Sequence, residues 1–136
     1  IKEKKKRVDL GQAKIIVAGG RGVGNAEGFD LLRRLADVLG GEVAGTRVTV
    51  EEGWISAENQ VGQTGQSVRP DLYIACGISG SGQIFAALNQ HGLIVAINTD
   101  GEANIAKKCD YYLVADLFEV IPLLTSQLAA IVNTDQ

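Results

Sequence analysis

The sequence has no methionine, one histidine, one tryptophan, two prolines and two cysteines, and aromatic residues make up only 5% of it. Each scarcity excludes something. His91 is the only histidine, which makes catalytic constellations scarce, and its place in the turn "NQHGL" reads as that of a solvated turn residue. Cys76 and Cys109 lie far apart, without the C-x-x-C spacing of metal or redox sites, and read as reduced core thiols. No apolar run approaches the roughly 20 residues of a membrane span, and the start does not resemble a signal peptide. A soluble, intracellular protein is expected. The net charge of −3 leaves no positive field to hold a nucleic-acid backbone, which argues against a nucleic-acid partner. A chain that begins with Ile1 and lacks methionine reads as a processed product or an excised domain of something longer.

What is present is hydrophobic and rhythmic. With 46% hydrophobic residues in 136, the chain has the length and the core of one domain. The cationic opening "IKEKKKRVDLGQ" reads as a linker or tail from a preceding domain over residues 1–11, with the folded domain over 12–136. "AKIIVAGG" predicts a buried strand. "AEGFDLLRRLADVLGG" places apolar residues at helical spacing from Phe29 to Leu39 and closes at Gly40 and Gly41. Glu42 to Gly45 reads as a short strand and Val48 to Glu52 as one helical turn in preference to a strand. "DLYIACG", "LIVAINTD" and "DYYLVAD" predict further strands, with helices over "SGSGQIFAALNQHG" and "GEANIAKKC". In the last helix, "LFEVIPLLTSQLAAIV", Pro122 suits a first turn or a kink. Near-continuous apolar strands alternating with helices predict a Rossmann-like parallel α/β sheet with helices on both faces.

In such a sheet, ligands bind beyond the carboxyl ends of the strands. The turns leaving those ends read "GGRGVGNAEG", "GTR", "GISGSGQ", "NTDGEA" and "DLF", and a parallel sheet gathers all five on one edge. "GISGSGQ" combines a backbone without Cβ atoms with the start of a helix, a pairing that suits a pyrophosphate. Ser79, Ser81 and Gln83 add neutral donors, but the lysine of G-x-x-x-x-G-K-[ST] is missing, which disfavours triphosphate hydrolysis. Ser79 lacks a partner base and a G-x-S-x-G frame, which disfavours a hydrolase triad. The bland alternative for any one turn is that its glycines only permit a tight strand-to-helix connection. "QVGQTGQ" is a polar loop ahead of Pro70, and Gln63 and Thr64 suit a planar heteroaromatic ring such as a flavin, with Arg47 and Arg21 supplying charge. Trp54 reads as core filling; Phe118 could stack on a ring or fill the core. Asp116 is either a helix N-cap or a ribose or adenine contact.

Taken in order, "GGRG", "GTR", "QVGQTG", "RPDLYIACGISGSGQ", "IVAINTD" and "YYLVADLFEVIPLL" resemble the electron transfer flavoprotein α subunit, in its C-terminal FAD-binding domain, over roughly residues 12 to 130. The resemblance implies FAD across the strand ends. Its ADP half would meet Ser79, Gly80, Ser81, Gly82, Gln83, Asn98, Asp116 and Leu117, with Arg21 nearby. The isoalloxazine would lie among Thr46, Arg47, Val61, Gly62, Gln63 and Thr64, with Thr64 near the flavin N5. Many family members carry a histidine where this chain has Ile84, which cannot donate a hydrogen bond, so an anionic flavin is expected to be less stabilised here and to lean on Arg47. Thr46 stands where serine is common and keeps the hydroxyl.

The resemblance further implies an electron carrier and not a catalyst. Flavin dehydrogenases such as acyl-CoA dehydrogenases would reduce it, and a quinone-linked oxidoreductase or another acceptor would oxidise it. It would form a heterodimer with a β subunit, in the bacterial cytoplasm or the mitochondrial matrix according to source, with no metal and no membrane insertion. Two alternatives stay open on the residues alone: an NAD- or nucleotide-binding enzyme domain, for which no convincing acid, base or nucleophile is found at the strand ends, and a cofactor-free interaction module.

Overall fold

Five short apolar segments line up side by side. In the computed structural model, which describes residues 13–60, 70–78, 92–99 and 109–134, the strands are β1 (Ile15–Gly19), β2 (Glu42–Gly45), β3 (Leu72–Cys76), β4 (Leu93–Asn98) and β5 (Tyr111–Val114). All pair in parallel, in the order β2-β1-β3-β4-β5. The expected tail at residues 1–11 and the helices expected over "SGSGQIFAALNQHG" and "GEANIAKKC" lie almost wholly outside the described residues.

Side chains alternate across the sheet because successive residues of a strand point to opposite faces. On one face Val17, Ile74, Cys76 and Ile97 pack against Phe29, Leu32, Leu35 and Ala36 of α1 (Ala26–Leu39) and against Leu117 and Ile121 of α3 (Leu117–Thr134). On the other, Ile16, Ala18, Ala44, Tyr73, Ala75, Ile94 and Ala96 form a second buried cluster. Its alanines fall in register, Ala44 beside Ala18, Ala18 beside Ala75 and Ala75 beside Ala96, one row of small side chains across four strands, next to a bulky row of Ile16, Tyr73 and Ile94.

Local chemistry fixes the helix ends. The Asn25 side chain accepts the Gly28 N–H at 2.9 Å and caps α1. Gly40, at φ 74°, ends it in the left-handed region, as the paired glycines predict. A single helical turn, α2 (Arg47–Glu51), follows β2, in agreement with the helical reading and one residue earlier than expected.

Two expectations change. Pro122 does not open the last helix but lies inside α3, at its sixth residue and exposed, where the missing N–H removes one intrahelical bond near the start of the helix. β5 is not buried on both faces: Tyr111, Leu113 and Val114 are exposed because β5 is the sheet edge.

Candidate functional site at the carboxyl edge

The strand order puts a topological switch between β1 and β3, because the chain leaves β1 toward β2 on one side and returns to β3 on the other. All five strands end on the same edge, and backbone hydrogen bonds stitch the turns together there. Gly20 N–H donates to Cys76 O at 2.9 Å, Gly22 N–H to Gly77 O at 2.9 Å and Thr46 N–H to Gly19 O at 3.1 Å. Gly77 N–H donates to Ile97 O at 2.9 Å and Ala115 N–H to Asn98 O at 2.9 Å.

The first two glycine turns interlock. A Cβ on Gly22 would lie 2.7 Å from Gly77 Cα, and one on Gly20 would lie 2.7 Å from Gly77 O, so the "GGRG" backbone rests directly on the β3 turn. Gly77 itself has φ +67°, a conformation that favours glycine. With Asn25 already capping α1, the first turn is spent on packing and not left open as an anion cradle. The bland reading of its glycines therefore holds for Gly20 and Gly22. The β3 turn, which leads from Gly77 and the buried Ile78 into residue 79, keeps its role as the phosphate candidate.

The described candidate residues all come to this edge. Arg21 is exposed in a 3-10 turn after β1. Thr46 precedes α2, and its carbonyl accepts the Thr49 hydroxyl at 2.7 Å. Arg47 opens α2, with its Nε donating to Glu51 Oε2 at 2.8 Å in an exposed ion pair. Asn98 ends β4, and its Nδ2 donates to Ile78 O at 3.2 Å, so it holds the backbone that enters the β3 turn. Asp116 is an N-cap, since its Oδ1 accepts the Phe118 N–H at 2.9 Å before α3. Leu117 is buried in the core, Phe118 is exposed, and Trp54 packs half-buried against the α1 side of the core. Val61, Gly62, Gln63, Thr64, Ser79, Gly80, Ser81, Gly82, Gln83, Ile84 and His91 lie outside the described residues.

Sequence reasoning missed two residues. Asn59 Nδ2 donates to Val43 O at 2.8 Å, and the next residue, Gln60, forms a parallel bridge with Gly45. Gln60 thus lies at the carboxyl end of β2, beside Gly45. No local pattern announces such a contact, because it joins residues sixteen apart; the polar pair just before "VGQTG" is the only cue.

Beneath the edge, burial pushes the Cys76 thiol up to about 12, so it stays protonated near neutral pH. Neither Cys76 nor Cys109 is in a disulfide. Among the described residues no helix is long and apolar enough to cross a membrane. Two guanidinium groups, a hydroxyl and a carboxamide at the open ends of parallel strands are a donor set that fits an anionic dinucleotide.

A five-stranded parallel sheet in this order, with a switch point between β1 and β3, defines an α/β protein of Rossmann-like fold. Its backbone resembles a solved Mycobacterium smegmatis structure described as a thiamin diphosphate-dependent enzyme, with a TM-score of 0.53 over 86% of this chain and 25% of the other; at 16% identity the likeness speaks for the fold alone. Residues 9–89 match the family model of the electron transfer flavoprotein FAD-binding domain, and the chain belongs to that family. It is 54% identical over 127 residues to the electron transfer flavoprotein subunit alpha of Thermoanaerobacterium thermosaccharolyticum, covering 93% of this chain and 38% of the relative. It is 55% identical over 120 residues to the subunit alpha of Bacillus subtilis, covering 88% of this chain and 37% of the relative. The chain thus spans well under half the length of these relatives.

Proposed function

We propose that this chain is the FAD-binding domain of an electron transfer flavoprotein α subunit, an electron carrier that pairs with a β subunit. The observation that carries the reading is the convergence of Arg21, Thr46, Arg47, Asn98 and Gln60 on one edge of a chain whose family is FAD-binding. When bound, FAD supplies the ring that accepts and gives up electrons. The chain supplies position and charge. The β3 turn, Ser79 to Gln83, would take the pyrophosphate, with Asn98 steadying that turn through Ile78 and with Asp116, Leu117 and Arg21 flanking the ADP half. Thr46, Arg47 and Val61 to Thr64 would surround the ring, where the Arg47 guanidinium favours negative charge. Ile84 adds no donor there.

Donors of the acyl-CoA dehydrogenase kind, a quinone-linked acceptor and a location in the bacterial cytoplasm or mitochondrial matrix complete the proposal. The test is a visible absorption spectrum of the α subunit containing this chain, co-expressed with its β partner, after incubation with FAD and desalting. Retained flavin bands that are lost or weakened in Arg47→Ala support the reading. A colourless complex overturns it.

A further inference from the structure

Resting on the FAD reading above, we infer that Phe118 is the surface on which the adenine of the cofactor stacks. Its phase on the helix sets it apart from its neighbours. Leu117 and Ile121, one turn apart on α3, are buried in the core, and Val120 packs against them from the partly buried rim. Phe118 lies off that stripe and is 47% exposed, so the ring is not there to fill the core.

The ring is nevertheless held in place. Its backbone N–H donates to Asp116 Oδ1 at 2.9 Å, and its Cζ lies 3.4 Å from where a Cβ on Gly28 would stand, in the first turn of α1. Because α1 follows β1 and α3 follows β5, both first turns stand at the carboxyl edge, and Phe118 reaches from one to the other. Gly28 permits this approach, since a side chain there would collide with Val23 Cγ1 and press on the ring. Arg21 is exposed in the same 3-10 turn as Val23 and brings a guanidinium to that corner, which suits the phosphates next to an adenosine. An ordered aromatic face open to solvent is what a base needs in order to stack. Arg47, given to the isoalloxazine, follows β2, the opposite edge strand from β5, so the ring after β5 falls to the adenine end.

The experiment separates stacking from space filling. Flavin is stripped from the α subunit paired with its β partner, FAD affinity is read from the flavin bands on titration, and ADP is added as a competitor for the same site. Phe118→Leu keeps an apolar side chain and removes the aromatic face, so FAD and ADP should each weaken about tenfold, within the range of one base–aromatic stack. Phe118→Trp restores a face and should hold both affinities within about twofold of wild type. Leu123→Ser, on the exposed side of the same helix, is the control and should change neither. The inference is overturned by unchanged FAD affinity in Phe118→Leu, by a loss of FAD without an equal loss of ADP, or by a tryptophan variant as weak as the leucine one. A wild type from which ADP displaces no FAD overturns it as well. Each of those outcomes spares the functional reading, because the wild type still holds FAD. A wild type that binds no FAD defeats both.

Discussion

Tyr73 heads the fully buried side chains by volume, and its hydroxyl has no hydrogen-bond partner. A phenol in that position is held up from its usual pKa by burial and carries an unmet polar group. Tyr73→Phe should therefore raise unfolding stability by about 1 kcal/mol, read from urea midpoints at constant m. Cys76, behind it in the same strand, gives a pH dependence. Burial raises its thiol from 9.0 to about 12, so the unfolded chain loses that proton first. Its contribution is complete below pH 9.0 and drains away as the pH climbs toward 12, and Cys76→Ala should flatten that alkaline fall in a series of urea melts. At this scale the sequence was partly readable. The apolar runs that make β1 and β3 were legible, and a strand then sets Val17 and Ala18, like Ile74 and Tyr73, on opposite faces. Whether Asp116 caps a helix was open until Phe118 N–H was found on its carboxylate, and the orphaned Tyr73 hydroxyl depends on neighbours from several strands.

Between elements, the contact of the β1 turn with the β3 turn is a backbone-on-backbone constraint at the candidate site. Gly22→Ala places a methyl 2.7 Å from Gly77 Cα and 2.9 Å from Gly77 O, atoms of backbone that cannot swing aside. The expected loss is about 2 kcal/mol of stability. FAD affinity should fall at least fivefold as well, because the displaced backbone runs straight into residue 79. Gly24→Ala is the control: at φ +92° with open space around it, it should cost about 1 kcal/mol and leave FAD affinity alone. Paired chemical denaturation and FAD titration check both variants. Glycine-rich turns were visible in the sequence, yet not which of them packs and which stays open, since that depends on strands meeting from distant parts of the chain. The same reasoning covers Pro122: its ring was legible as a disturbance, but its tolerance rests on an exposed position near the start of an eighteen-residue helix.

For the whole molecule, five strand segments and the parallel α/β class could be read from apolar runs separated by helical spacing, while their order could not. Order decides that β5 is an edge, and so decides that Tyr111 at 64% and Val114 at 56% exposure stand open. Four apolar residues without a charge or a proline make an unguarded edge. Expressed alone, the chain should self-associate along it, and Leu113→Lys should shift the light-scattering mass toward the monomer without lowering Tm by more than about 2 °C. The interlocked glycines have a consequence in time as well as in space. β1 and β3 come from distant parts of the sequence, so their pairing is slow to form and open to slippage along the strands. Gly20 and Gly22 fit against Gly77 in one alignment only, that of Ile15 beside Leu72. A pairing shifted by a residue would meet side chains where the correct one meets bare backbone, so the glycine contact disfavours the shifted register.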